Sequence, residues 1–207
     1  MPDWSLEIAA GADRGRVVCG VDEVGRGPLA GPVLACAVVL DPAGLDRALA
    51  AKIDDSKRLS AGQRLDICTV LRGSVRYGLG LATVAEIDEI NILQATYRAM
   101  RRAVANLYIQ VDRALVDGNR APPLDCPVTC VVKGDQKSLS IAAASIIAKV
   151  ERDKIMRELA ARHTGYGWER NAGYGTAAHL AAIKRLGITP EHRRSFRPIS
   201  ESLAVTY

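Results

Sequence analysis

Two apolar runs, RVVCGV at 16–21 and VLACAVVL at 33–40, are separated by only a short stretch crowded with glycine and proline, GRGPLAGP. Runs of this length read as buried strands, and Pro28, Gly31 and Pro32 leave no room for a helix between them. The chain must reverse from one strand straight into the next, as a hairpin or meander. A third strand is expected over 75–84 (VRYGLGLATV), where isolated glycines predict a bulge. A helix near 61–71 leads into it.

From 89 to 107, Ile90, Leu93, Tyr97, Met100, Val104 and Leu107 step by three and four, the stripe of a half-buried helix with Arg98, Arg101 and Arg102 mostly outside it. Two short strands follow at 114–116 and 128–132, parted by the turn PPLDCP. A second long helix is expected over 138–162, and shorter helices over 176–186 and beyond Pro190, with Gly187 as a stop signal. Strands first, then strands alternating with helices, then a helical tail describe an α/β domain built on a mixed sheet.

With one Phe, two Trp and six Tyr in 207 residues, the core has to be built from Ala, Val, Leu and Ile. The longest apolar run falls far short of the ~18 residues that cross a membrane. The acidic N-terminus MPDWSLEIAA does not read as a secretory signal. Five cysteines, three of them in apolar segments, suit free thiols in a reducing cytoplasm. Cys126 and Cys130 lack the second Cys or His pair a zinc site needs. Charge is uneven: residues 1–148 hold 17 Lys/Arg against 17 Asp/Glu, whereas 149–198 hold 11 against 5. Such a basic segment suits either a polyanionic partner or a solvated helix face.

Four acids carry the chemistry. Asp22 and Glu23 close the first strand, Asp117 closes a later one, and Asp135 follows another. Ligand sites of open α/β sheets gather at the carboxyl ends of strands, so these segments can bring their carboxylates together. Oxygen ligands of this kind suit Mg²⁺ or Mn²⁺ and not zinc. Adjacent strand residues point to opposite faces, so a backbone bend is expected at Asp22–Glu23, with Gly25 and Gly27 permitting it. Asp117 and Asp135 taken singly also read as a turn residue and a helix cap. The segment Gly25-Arg26-Gly27-Pro28-Leu29-Ala30 matches a dinucleotide fingerprint, but that fingerprint needs a helix where this chain has prolines and a second strand. The glycines fit better as a tight loop whose amides approach a phosphate or sugar, with Arg26 as a charged clamp.

At these residues the sequence resembles bacterial ribonuclease HII, the type 2 ribonuclease H. The resemblance rests on GVDEVGRGPLAGPV (20–33), DDSKRLS (54–60), VDGN (116–119), KGD (133–135), SIAAASIIAKVERD (140–153), GYGT (173–176) and HRRSF (192–196), in the family's order across nearly the whole chain. It implies a ribonuclease H-like mixed sheet flanked by helices, with a C-terminal helical extension. Residues 1–160 would form the catalytic core, and 161–207 a basic substrate-binding extension of one continuous domain. It further implies a cytoplasmic, monomeric endoribonuclease with no membrane partner. Its substrates would be RNA/DNA hybrids and duplex DNA with embedded single ribonucleotides.

By the same resemblance Asp22, Glu23, Asp117 and Asp135 are the catalytic, metal-binding carboxylates. Gly25, Arg26 and Gly27 read the ribose 2′-hydroxyl and the neighbouring phosphate, and Tyr174 packs on the next sugar. Ser56 and Lys57 belong to a substrate-facing loop. Asp153, between Arg152 and Lys154, reads as an ion-pairing or structural acid. Ala172 stands where the family often has lysine, so one phosphate contact is either missing or replaced by Arg170. The acid before Asp55 is less usual than an apolar residue. Only about 15 residues precede the first strand, which disfavours the type 3 enzymes and their extra N-terminal domain. Two ions ~3.5 to 4 Å apart would activate water and stabilise the leaving oxygen, giving 3′-hydroxyl and 5′-phosphate ends. Arg193 and Arg194 are expected to contribute phosphate contacts. A non-catalytic hybrid binder has no reason to cluster acids beside phosphates, and a junction resolvase has no need of the Gly25–Gly27 loop with Tyr174.

Overall fold

The first two apolar runs pair as expected. In the computed structural model, which describes residues 1–204, β1 (Val18–Val24) and β2 (Val33–Val39) are antiparallel in unbroken register from Cys19 opposite Val39 to Val24 opposite Leu34. β3 (Arg76–Ala82) joins antiparallel to β2. β4 (Arg113–Asp117) and β5 (Val128–Val131) run parallel to β1 on its other side, giving a five-stranded mixed sheet in the order β3-β2-β1-β4-β5. The parallel half places the carboxyl ends of β1 and β4 side by side, with Val21 opposite Val116.

The expected bulge in β3 is absent, and its register with β2 is continuous. The glycines serve a different need. A Cβ on Gly78 would lie 2.2 Å from the Ala103 carbonyl oxygen, and one on Gly80 2.1 Å from that of Ala99. They let the helix behind the sheet approach the strand backbone directly.

Eight helices cover the sheet and its end among the described residues: α1 (Ser5–Ala10), α2 (Arg47–Ala50), α3 (Ala61–Ser74), α4 (Val84–Ala105), α5 (Leu139–Arg162), α6 (Trp168–Asn171), α7 (Ala177–Leu186) and α8 (Arg197–Ala204). α4 packs Ala95, Ala99, Met100 and Ala103 against Cys19, Val21, Val33, Ala35 and Ala37 on one face. α3 and α5 pack against Leu34, Cys36 and Val38 on the other. The small Ala and Val residues let both layers close tightly with almost no aromatic bulk.

α4 begins five residues before its expected start, because Thr83 and Glu86 form a capping box: each side chain accepts from the other residue's backbone N–H. It is also broken at Asn91 (φ 68), whose Oδ1 accepts from Leu93 N and Gln94 N and caps the second half. α5 is the element that most directly positions the site. Ser138 caps it through Ile141 N, and Gly20 admits it to β1, since a Cβ there would lie 2.2 Å from the Ser140 carbonyl carbon. The buried Glu7 of α1 holds that helix start by accepting from Ser138 Oγ, Ser140 N and Ser140 Oγ. The C-terminal segment packs Trp168, Ala182, Ile183 and Ile199 onto Leu29, Ala30, Met156 and Leu159, so it grips both the β1–β2 connection and the end of α5. Of the segment 161–207, residues 205–207 lie outside the described ones.

Candidate active site

β1 stays regular through Val24, with Asp22 opposite Cys36 and Glu23 opposite Ala35. The expected bend between the two acids is therefore absent. Asp22 projects to the α5 side with Gly20, and Glu23 to the α4 side with Cys19 and Val21. They reach one site because they sit at the strand's end, where the sheet no longer separates its faces. The chain turns only afterwards, at Gly25 (φ 90). Asp117 ends the neighbouring parallel strand, and its Oδ1 accepts from Gly134 N at 2.6 Å, which draws the Asp135 turn over the strand ends. Asp135 lies in that turn and is not the cap of α5.

The four carboxylates feel one another. Burial raises Asp22 well above the usual carboxylate range, and Glu23, Asp117 and Asp135 push it further. Burial also raises Glu23, with Arg26 opposing and Asp117 adding. Burial raises Asp135, with Lys57 opposing. Asp117 is the common neighbour, its charge felt by the other three.

Among the described residues no three His, Cys, Asp or Glu side chains converge closely enough to enclose an ion as they stand. Three of the carboxylates are instead engaged by protein donors: Glu23 by Arg26 at 3.3 Å, Asp135 by Lys57 at 3.3 Å and Asp117 by the Gly134 amide. Their chemistry nonetheless fits a divalent cation. All donors are oxygens, the buried Glu23 Oε2 has no hydrogen-bond partner, and a cation would relieve the mutual repulsion. Lys57 and Arg26 are exposed enough to yield their carboxylates at little cost.

Beside the acids, the Gly25–Gly27 loop and the Tyr174 turn meet. A Cβ on Gly27 would stand 3.5 Å from Tyr174 Cε1, so loop and ring are neighbours despite lying far apart in sequence. Leu29 N donates to Gly173 O at 2.8 Å and ties the two segments. Tyr174 is about half exposed. Its carbonyl accepts from His179 Nδ1 at 2.9 Å. His179 Nε2 in turn accepts from Trp168 Nε1 and faces His192 Nε2 at 3.2 Å, while His192 Nδ1 accepts from Thr189 N. That arrangement requires both imidazoles neutral, and burial together with the neighbouring His179 lowers His192 to about 4.

A histidine depressed from 6.5 to about 4 contributes stability that is fully present above pH 6.5 and lost as the unfolded chain takes up the proton. Chemical denaturation is expected to show a loss of about 2 kcal/mol between pH 7 and pH 5 that His192→Asn removes. An identical pH slope in the two proteins would contradict it.

Ser56 is buried and its carbonyl accepts from Arg64, whereas the Lys57 side chain is exposed. Asp153 pairs with Lys149 at 2.6 Å. Arg170 is exposed beside Glu169, and Ala172 holds a left-handed turn (φ 49). Arg193 departs from expectation. It is fully buried and bonded to backbone carbonyls, so only Arg194 of the pair is exposed. Tyr97, Asn119 and Arg120 line a cleft of about 330 Å³ with Glu23, Arg26 and Asp117. In the sequence Tyr97 stands out only as part of the apolar stripe and Asn119 only within VDGN, and Arg120 is not singled out, although Asn119 and Arg120 directly follow the Asp117 turn.

The family model described as Ribonuclease HII matches residues 19–199. The chain belongs to the ribonuclease HII family. Ribonuclease HII of Rhodospirillum rubrum is 64% identical over 206 residues, covering 99% of this chain and 93% of that one. Among solved structures, ribonuclease H2 from Pyrococcus horikoshii OT3 superposes with a TM-score of 0.74 at 29% identity, covering 89% of this chain and 95% of that one. Bst-RNase HIII in complex with Mn²⁺ gives a TM-score of 0.70 at 19% identity, covering 92% and 70%, and so shares the fold. As a ribonuclease HII family member the chain is a metal-dependent endoribonuclease acting on RNA/DNA hybrids.

Proposed function

We propose that this enzyme also cuts at single ribonucleotides embedded in duplex DNA, and that Asp22, Glu23, Asp117 and Asp135 hold the two divalent ions, Mn²⁺ or Mg²⁺, that serve hydrolysis. The observation that carries the reading is the placement of the Tyr174 ring next to Gly27, where a Cβ on that glycine would stand 3.5 Å from Tyr174 Cε1. When bound, such ions supply an activated water for in-line attack and charge stabilisation at the leaving 3′-oxygen.

The chain's own residues do the rest. The Gly25–Gly27 loop offers backbone groups and Arg26 to the ribose and its phosphate, and only a 2′-hydroxyl completes those bonds. The Tyr174 ring packs on the following sugar and disfavours an extra hydroxyl there. Lys57 lies beside Asp135, where it can hand the carboxylate to a cation and turn to a phosphate. Ser56 shapes the same loop from within. Products carry 3′-hydroxyl and 5′-phosphate ends.

Residues 1–160 act as the catalytic core, and 161–207 as the basic extension that follows the duplex. The working unit is a monomer, and the buried thiols Cys19, Cys36 and Cys68 support a cytoplasmic setting. Because Arg194 is exposed and Arg193 is not, Arg194→Ala alone should flatten the slope of log affinity against log salt by about one. An unchanged slope would place the footprint elsewhere. The function itself is tested by cleavage of a hybrid, a lone-ribonucleotide duplex and a four-way junction, each with and without Mn²⁺. Cutting of the first two only, with the ion and with 5′-phosphate products, is expected. An intact lone-ribonucleotide duplex would overturn the proposal.

A further inference from the structure

Two buried arginines stand behind the Gly25–Gly27 loop. Arg152 is 1% exposed and Arg193 0%, and neither forms an ion pair with a carboxylate among the described residues. The nearest acids are already engaged. Asp153 is paired with Lys149, and Asp88 accepts from Arg194 N, Ser195 N and Ser195 Oγ. A buried unpaired cation is costly, and a chain that only needed to fill this space would fill it with apolar side chains. Burial lowers Arg152 to about 10, and burial together with the neighbouring Arg152 lowers Arg193 to about 9.

Backbone carbonyls make up the difference. Arg193 donates from Nη2 to Gly25 O at 2.6 Å, from Nη1 to Arg26 O at 2.9 Å, and from Nε and Nη2 to Gly31 O at 2.9 and 2.8 Å. Arg152 donates from Nε to Pro32 O at 3.1 Å, from Nη2 to Ala30 O at 3.2 Å, and from Nη1 to Ala172 O at 3.0 Å. Two planar forks thus take five carbonyls of the 25–32 loop and one from the turn before Tyr174. With those oxygens drawn inward, the loop does not present the negative ends of its peptides to a polyanion. Gly25 is part of the same device: a Cβ there would lie 2.1 Å from Arg152 Nε. Its missing side chain makes room for the arginine behind.

We propose that Arg152 and Arg193 are positioning residues for ribonucleotide selection, locking the 25–32 loop and the Tyr174 turn at one fixed separation. The inference rests on the reading of loop and ring as the pair that recognises a ribose followed by a deoxyribose. A rigid separation matters most where both sugars are tested at once. In a run of riboses the second condition is never met, and the lock has less to enforce.

The test is Arg152→Lys and Arg193→Lys, which keep the charge and lose the fork. Single-turnover rate and affinity are measured on a lone-ribonucleotide duplex and on a ribose-run hybrid. The lone-ribonucleotide rate should fall on the order of ten- to a hundredfold and clearly further than the hybrid rate, with affinity little changed, because misplacing one partner of a geometric test costs rate before binding. In a Tyr174→Ala background, Arg152→Lys should no longer alter the ratio of the two rates, since it acts through that turn. Equal losses on both substrates, or an undiminished Arg152→Lys effect without the ring, would overturn the inference. If Tyr174→Ala alone leaves the ratio unchanged, the recognition reading fails and takes the inference with it. If Tyr174→Ala shifts the ratio and the arginine variants do not, the inference alone fails. Should the lysine variants not fold, wild-type protein decides. The Nε resonances of Arg152 and Arg193 should respond to a lone-ribonucleotide duplex, with Ca²⁺ used to prevent cleavage, and far less to the same duplex without the ribose. Equal responses would overturn the inference.

Discussion

Asp117→Asn is expected to reduce cleavage by about a hundred- to a thousandfold, the range reached when a preorganised electrostatic group is lost. Asp117 is the carboxylate whose charge reaches the other three, and it also holds the Gly134 amide. Asparagine keeps an oxygen for that amide, so the turn carrying Asp135 should stay in place while the charge disappears. Asp22→Asn should behave alike, since its Oδ1 accepts from Glu23 N and an amide oxygen can do the same. Hybrid binding should survive both changes, because neither removes a group that attracts phosphate. Thermal stability should rise in Asp22→Asn, as burial and three neighbouring carboxylates all disfavour its charged form. Wild-type-like turnover by either purified variant would contradict the assignment of these acids to the centre.

Tyr174→Ala is expected to slow cleavage at a lone ribonucleotide by about tenfold to a hundredfold, or ~1 to 3 kcal/mol in the transition state, the range of a lost ring contact. Tyr174→Phe should lose much less. The ring stands next to Gly27, its exposed face would supply contact area and shape, and the phenol hydroxyl is secondary to both. Single-turnover rates on matched duplexes, one with a lone ribonucleotide and one with a ribose run, measure the effect. Equal rates for Tyr174→Ala and wild type on the first duplex would leave Tyr174 as a turn residue with no part in recognition.

The strands, their mixed directions and the gathering of acids at strand ends were legible because each is written locally, in apolar runs and in acids that stop them. The alternation rule for Asp22 and Glu23 was also correct, but the inference of a bend was not: a strand end needs no bend to bring its two faces to one site. The glycines of β3 were read by local propensity, whereas the packing of α4 against the strand decides them. The early start of α4 was available in Thr83 and Glu86, at capping-box spacing, although its apolar stripe begins later. Arg193 shows where local reading ends. In HRRSF two adjacent arginines look alike, and which one is buried depends on the β1–β2 connection some 160 residues away in sequence. The buried role of Arg152 was hidden for the same reason, since a basic residue within a charged helix segment reads as solvated until its partners are known.

The central claim is that the carboxylates of Asp22, Glu23, Asp117 and Asp135 hold the ions that serve cleavage. A crystal structure of the enzyme with Mn²⁺ and a duplex carrying a single non-cleavable ribonucleotide, examined by anomalous scattering, tests it most directly. Two anomalous peaks, ~3.5 to 4 Å apart and ligated by these four residues next to the phosphate at the ribose, are predicted. Peaks bound elsewhere on the chain, or a bound duplex with no ion at the ends of β1 and β4, would contradict it.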